Sequence, residues 1–170
     1  MAITYALSNY HAIKRDKHGK DFLEYSLDVL SSKYNLRRTY VFVRCLLVGF
    51  SADSVYGPFY QAEKEKYIST KGKDKSFDRS VFESSLSGLL VDNSVASDID
   101  GFSEYLVGRM CKKFGSYRQY VISRYVLSGL ASDTLFGPLF GWLKESYSDS
   151  NSGEAVVASK KFINDVLGDF

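Results

Sequence analysis

Apolar residues recur at three- and four-residue steps along most of the chain, the spacing of one face of an α-helix. One clear stripe contains Phe102, Tyr105, Leu106, Met110 and Phe114. Gly-Pro pairs and polar segments separate such stripes, which predicts four helices, A to D, in each half. They cover 21–33, 36–49, 58–67 and 78–91 in the first half, and 101–114, 116–129, 138–147 and 154–168 in the second. The stretch 92–100 is predicted to connect the halves.

Helix B is apolar nearly all round, which predicts that it lies at the buried centre of each half. Its β-branched run around Val41 to Val43 would also suit a buried strand. Its length and its helical neighbours favour a helix, and the predicted fold is all-α. We expect Gly49 and Gly129 to end helix B in a left-handed conformation, and Asp53 and Asp133 to act as N-caps beyond it.

The two halves repeat each other at an offset of 80 residues. Residues 38–67 and 118–147 align without gaps and share 12 of 30 positions, and the wider ranges 22–88 and 102–168 share 18 of 67. A fixed internal period is typical of a duplicated structural unit. The sequence therefore predicts a tandem duplication of a four-helix unit of about 80 residues, divided into 1–92, which carries an N-terminal extension, and 93–170.

Composition narrows the class of protein without naming a partner. Hydrophobic residues make up 45% and charged residues 25%, as in soluble globular proteins, and the net charge is +2. No segment predicts a signal peptide or a membrane span. Two cysteines, Cys45 and Cys111, do not make a disulfide framework, which predicts a reducing, cytoplasmic location. Residues 1–92 hold 14 basic and 11 acidic side chains, and 93–170 hold 8 and 9, a mild asymmetry that would favour head-to-tail self-association.

Arg44 and Arg124 occupy an apolar face of helix B. A guanidinium there cannot lose its charge and must find a partner. We expect each arginine to form a structural ion pair with a carboxylate of its own repeat, with phosphate binding as the functional alternative. The candidate carboxylates are Glu24 and Asp53 for Arg44, and Glu104 and Asp133 for Arg124.

The segments that join helices A and B interleave cations with aromatic rings. We call residues 33–40 the first junction and residues 112–120 the second junction. Cations neutralise phosphates, and flat rings stack on unpaired bases. The predicted nucleic-acid-binding residues are Lys33, Arg37, Arg38, Lys112, Lys113 and Arg118, to which Lys14, Arg15, Lys17 and Lys20 would add a basic surface. The structural alternative is a solvated basic helix end with its rings packed inwards.

The sequence contains no phosphate-loop, nucleotide-binding, nucleophile-elbow or metalloprotease motif. His11 and His18 are too few for a zinc site with the unrelated cysteines, so no metal or cofactor is predicted. Glu24 with Asp53 remains an alternative acid pair for glycoside chemistry. The predicted function is a non-enzymatic nucleic-acid-binding protein that prefers RNA or single strands. A protein-interaction or self-assembly module, which forms homo-oligomers through exposed Tyr and Phe, is the alternative.

Overall fold

The computed structural model describes residues 20–73, 75–88, 97–151 and 153–167. Within these ranges the chain is helical and contains no strand, so the alternative of a strand at helix B is excluded. The helices are α1 (Lys20–Tyr34), α2 (Arg38–Ala52), α3 (Tyr60–Lys71), α4 (Arg79–Gly88), α5 (Ser97–Phe114), α6 (Arg118–Ser132), α7 (Phe140–Ser150) and α8 (Gly153–Leu167). A 3₁₀ turn precedes α3 at Gly57–Phe59 and α7 at Gly137–Leu139.

The order of elements in 20–88 recurs in 97–167. The predicted helices A to D correspond to α1–α4 and α5–α8, and the main shifts are at their ends. Helix C begins with a 3₁₀ turn at the Gly-Pro pair, since proline suits a first helical turn. Residues 97–100, predicted as part of the connection, form the first turn of α5, whereas 92–96 lie outside the described residues. No helix in the described part of the chain is both long and apolar enough to cross a membrane.

Helix α1 and helix α5 end in the same way. Asn35 (φ 53°) and Gly115 (φ 62°) adopt the left-handed backbone conformation that Gly and Asn tolerate best. The amide of the following residue, Leu36 or Ser116, donates to a carbonyl five residues back, over 2.9 and 3.2 Å. This closure satisfies carbonyls at the helix end and turns the chain into α2 and α6.

Gly49 and Gly129 lie inside α2 and α6, not at their ends, so the predicted C-terminal role is wrong. A Cβ on Gly49 would lie 1.7 Å from the carbonyl oxygen of Tyr125, and one on Gly129 would lie 1.7 Å from that of Cys45. The two helices therefore cross with their backbones in contact, which only a residue without a side chain permits. This pair makes the most extensive packing between helices of the fold.

The remaining helices pack across the two halves. Helix α1 packs on α7 and α8, and α5 packs on α3 and α4. The ring of Phe22 meets that of Tyr147 edge-on, with centroids 5.5 Å apart, and Phe102 meets Tyr67 at 5.3 Å. Buried apolar residues of both halves form one core. The boundary predicted at 92/93 lies outside the described residues, and the ranges on its two sides share that core.

Asp53 and Asp133 follow the central helices and cap the next turn, in line with their predicted capping role. One carboxylate oxygen of Asp53 accepts the backbone N–H groups of Val55 (2.8 Å) and Tyr56 (3.1 Å). Asp133 accepts the same two bonds, from the second and third residues after it, at 2.8 and 2.9 Å. Such bonds satisfy amides that have no partner within the turn.

The same carboxylates bind the buried arginines of the opposite half. Arg44 Nε and Nη2 donate to Asp133 over 2.7 and 3.0 Å, and Arg124 Nε donates to Asp53 over 2.6 Å. The expectation that each arginine binds a carboxylate of its own repeat is wrong. The reason is geometric: α2 and α6 run antiparallel, so Arg44 lies beside the end of α6 and Arg124 beside the end of α2.

Glu24 and Glu104 also have other partners than those predicted. Glu24 binds Arg38, and Glu104 binds Arg118, at equivalent places in the two halves. These pairs join α1 to the start of α2 and α5 to the start of α6. Each junction is therefore held by an ion pair within its own half, whereas the core pairs link the halves.

The close approach of α2 and α6 predicts an unusually large effect of one methyl group. Gly49→Ala places its Cβ on rigid backbone, and we expect it to destabilise the protein by about 3 kcal/mol or more. Gly108→Ala is the control, since Gly108 is an exposed helical glycine with nothing within 4 Å of its would-be Cβ. That change should be neutral or stabilising by up to about 1 kcal/mol. Urea unfolding measures both, and equal effects would contradict the close contact.

The exchange of ion pairs predicts a specific pattern of coupling. Arg44→Met and Asp133→Asn should each cost roughly 3–5 kcal/mol, because each change leaves a buried charged partner behind. Their double variant should lose less than the sum. The control cycle combines Arg44→Met with Asp53→Asn, whose partner is Arg124, and should be additive within about 0.5 kcal/mol. Coupling in the control cycle instead of the first would show that the pairs form within the halves.

Candidate nucleic-acid interface

The first junction presents cations that already have neighbours. Arg38 is half-buried and binds both Glu24 and Asp28, the latter over 2.7 Å from Nε. The Nζ atom of Lys33 lies 5.5 Å from the centre of the Trp142 ring, within the range of a cation–π contact. Three cations here face two carboxylates, so the net positive charge of this junction is small.

The second junction has the same backbone and a different surface. Lys112 and Lys113 are exposed at the end of α5, and Lys113 Nζ lies 4.3 Å from the centre of the Phe59 ring. Arg118 is half-buried against Glu104. Three cations face one carboxylate, so this junction carries more net positive charge than the first.

Exposed rings lie beside these lysines. The side chain of Tyr117 is 83% exposed, and Phe114 and Tyr120 are each 39% exposed. The other face of Phe114 packs on Tyr56 and Phe59, with ring centres 5.2 and 5.7 Å away. Within the first junction no ring is as exposed, because Tyr40 is 1% exposed and Tyr34 packs on Phe136, with ring centres 5.8 Å apart. The exposed ring beside Lys33 is that of Trp142 on α7, which is 46% exposed.

The clearest difference lies at one backbone position. Arg37 and Tyr117 both precede a central helix, with φ near −67° and ψ of 137° and 141°. The same conformation therefore projects a guanidinium from one junction and a phenol ring from the other. A flat aromatic ring that is exposed to solvent can stack on an unpaired base.

The junctions lie at opposite ends of the central helix pair. Because α2 and α6 run antiparallel and cross near Gly49 and Gly129, their first residues are roughly 30 Å apart along the axis at a rise of 1.5 Å per residue. The two junctions therefore form separate basic surfaces and not one continuous track. Lys14, Arg15 and Lys17, with His11 and His18, lie outside the described residues, as does the side chain of Lys20.

The contact between α3 and α5 contains hydrogen bonds that the equivalent contact between α7 and α1 lacks. Buried Glu63 on α3 accepts hydrogen bonds from Tyr105 (3.0 Å) and from Arg109 Nε (3.0 Å) on α5. Burial acts to raise the pKa of Glu63, but these bonds outweigh it and lower the pKa. Sequence comparison missed this pair because Val29 and Leu143 stand at the equivalent positions.

The described residues offer little for other chemistry. Glu24 and Asp53, the alternative acid pair, are each bound to an arginine. Burial raises the pKa of the Cys45 and Cys111 thiols, which disfavours a reactive thiolate. No group of three His, Cys, Asp or Glu side chains within the described ranges is placed to hold a metal ion. An open groove of about 710 Å³ between α7 and α8 is lined by both lysines and acids.

Comparison with models of known protein families, with curated proteins and with solved structures gave no significant match. The interpretation of the site therefore depends on its own geometry.

Proposed function

We propose that the protein is a non-enzymatic binder of single-stranded nucleic acid, RNA or DNA, and that the second junction is its main contact surface. The observation that carries this proposal is the exposed ring of Tyr117 beside two exposed lysines, Lys112 and Lys113. Lysines supply phosphate contacts that do not depend on sequence, and a ring stacks on any base.

The preference for single strands follows from the kind of surface. In a duplex the bases are stacked on one another, and a protruding ring finds no free base face. In a single strand each base has an exposed π-face, and stacking on an aromatic side chain contributes about 1–3 kcal/mol per base. Phe114, which is half-covered by first-half rings, would extend the platform next to Tyr117.

The first junction has a secondary role in this proposal. Lys33 and Arg37 are exposed and would add phosphate contacts, whereas Arg38 and Arg118 are half-buried and bound to carboxylates. We assign these two arginines mainly to holding the junctions in shape. A strand that reaches both junctions would have to cover the roughly 30 Å of outer surface that separates them.

We also propose how the chain arose and in which compartment it functions. The shared helix order, the equivalent ion pairs and the reciprocal glycine contact support a tandem duplication of a four-helix unit, divided at 92/93. Cys45 and Cys111 are free thiols, which is compatible with the reducing, cytoplasmic location that we propose.

The alternative function is a protein-interaction or self-assembly module. It is favoured by the same exposed rings and by Trp142, which is 46% exposed, since aromatic side chains are enriched at protein interfaces. Light scattering on the purified protein across a concentration series distinguishes a monomer from a homo-oligomer.

Charge reversal tests the proposed surface. We expect Lys112→Glu with Lys113→Glu to weaken binding of a labelled 15-nucleotide oligo(U), and to reduce the salt slope by about 2 for two lost phosphate contacts. The control is Lys160→Glu with Lys161→Glu on α8, which makes the same charge change on another exposed surface. Fluorescence anisotropy at two salt concentrations measures both. No binding by the parent at low salt, or equal losses in both variants, would favour the assembly module.

Tyr117 tests the preference for single strands. We expect Tyr117→Ala to weaken oligo(U) binding roughly five- to hundredfold, because stacking contributes about 1–3 kcal/mol per base. Tyr117→Phe keeps the ring and should bind as the parent does. A duplex of the same length should respond to neither change. If the alanine and phenylalanine variants bind oligo(U) equally well, the ring is not a stacking platform.

A further inference from the structure

The two buried arginines, Arg44 and Arg124, are not equivalent, and their difference points to an anion site. The inference rests on the proposed function, whose surface it extends inwards. We infer that Arg124 donates a hydrogen bond from Nη2 to a phosphate oxygen of a strand bound at the second junction, whereas Arg44 cannot do so.

Arg44 is fully committed within the core. Its Nε and Nη2 atoms grip both oxygens of Asp133, and Nη1 donates to the Tyr40 hydroxyl over 3.2 Å. Its side chain is 2% exposed, and that of Asp133 is 0% exposed. This fork-to-carboxylate geometry uses the donors of the guanidinium and leaves none facing solvent.

Arg124 holds Asp53 with one nitrogen only. Nε donates to Asp53 over 2.6 Å and Nη1 donates to the Tyr120 hydroxyl over 3.0 Å. Nη2 makes no hydrogen bond with the residues that the structure describes. It is not fully buried either, so it can be reached from solvent. The side chain of Arg124 is nine-tenths buried, at 10% exposure. Its Nη2 atom therefore keeps unused N–H donors at the edge of a site that is mostly shielded from water.

Ser128 adds a second difference at the same carboxylate. Its hydroxyl donates to Asp53 Oδ2 over 3.1 Å, the same oxygen that Arg124 Nε binds. The other oxygen, Oδ1, already accepts two backbone amides. The equivalent residue in the first half is Val48, which has no hydroxyl. Asp53 Oδ2 therefore accepts two side-chain donors, Arg124 and Ser128. In the other pair the guanidinium of Arg44 binds both oxygens of Asp133, including the one that accepts two amides.

Arg124 is continuous with the second junction. Its guanidinium lies 5.4 Å from the centre of the Tyr56 ring, and Tyr56 packs on Phe114. Tyr120, the partner of Nη1, is 39% exposed, whereas its equivalent Tyr40 is 1% exposed. The arginine therefore lies directly beneath the ring surface on which we place the strand.

The chemistry of this position suits a phosphate oxygen. A guanidinium stays charged and donates several hydrogen bonds at once, and hydrogen bonds between charged groups are the stronger ones. Asp53 already balances the charge of Arg124, so the site can stay empty without leaving a buried charge uncompensated. Lys112 and Lys113 on the adjoining surface supply the net attraction for an anion.

Ser128→Ala tests the inference while preserving the ion pair. Removing the hydroxyl leaves Arg124 as the one side-chain donor to Asp53 among those described, as Arg44 is for Asp133. This change favours a grip on both oxygens, which would withdraw Nη2 from the ligand. We expect oligo(U) affinity to fall several-fold and the salt slope to fall by about 1. Ser123→Ala is the control, because Ser123 is a buried serine of the same helix whose hydroxyl has no partner among the described residues. It should leave binding unchanged.

Arg124→Lys is the second variant, since it keeps a cation for Asp53 but lacks the forked donors. Circular dichroism shows whether it folds, and oligo(U) binding should fall at least as far as in Ser128→Ala. Inorganic phosphate should also shift the side-chain N–H resonance of Arg124 in the parent and not that of Arg44.

The outcomes separate the two proposals. If Lys112→Glu with Lys113→Glu weakens oligo(U) binding but Ser128→Ala and folded Arg124→Lys do not, the Arg124 site is wrong and the proposed function stands. If the parent does not bind oligo(U) but phosphate shifts the Arg124 resonance and Ser128→Ala removes the shift, the anion site stands and nucleic-acid binding fails. Neither binding nor a shift would overturn both.

Discussion

The crossing of α2 and α6, with backbone touching backbone at Gly49 and Gly129, is the contact around which the rest of the chain is arranged. Two helices this close leave no room for side chains at the crossing, so their larger residues project to the sides and form the core. The antiparallel direction brings the end of each helix beside the buried arginine of the other. The aspartate that caps each turn is therefore also the carboxylate that Arg44 or Arg124 binds, and backbone amides already fix its position.

This double use of Asp53 and Asp133 links local and tertiary structure. A buried ion pair gains little over a well-packed apolar pair, because both ions lose their hydration. A buried arginine without its partner, however, is very unfavourable. Any packing that slid α2 along α6 would separate both pairs at once, so the pairs select one register from those that an apolar helix face would otherwise accept. The ion pairs between the halves and the single core both follow from the crossing of α2 and α6.

Small substitutions on a repeated backbone give the two ends of the molecule different properties. Arg37 and Tyr117 share a backbone conformation. Val48 and Ser128 stand at equivalent positions of α2 and α6, and Tyr40 and Tyr120 each bind a buried arginine. The first end therefore carries an arginine and a buried tyrosine, whereas the second end carries two exposed tyrosines. These differences between the halves leave the glycine crossing and the ion pairs intact.

The sequence alone determined the helical class, the order of elements and the 80-residue period, because these follow from local spacing, Gly-Pro pairs and the capping aspartates. It also showed that Arg44 and Arg124 need carboxylates. It could not show which ones, since partner choice depends on the antiparallel direction of α2 and α6, and periodicity carries no information on direction. Gly49 and Gly129 were expected to end their helices because glycine is common at that position, and a close crossing of two helices leaves no local pattern. Only the tertiary structure decided that they are the crossing point, that Tyr117 is exposed while Tyr40 is buried, and that one arginine keeps a free edge. Exposure and close approach belong to neighbours distant in sequence, and no local pattern encodes them.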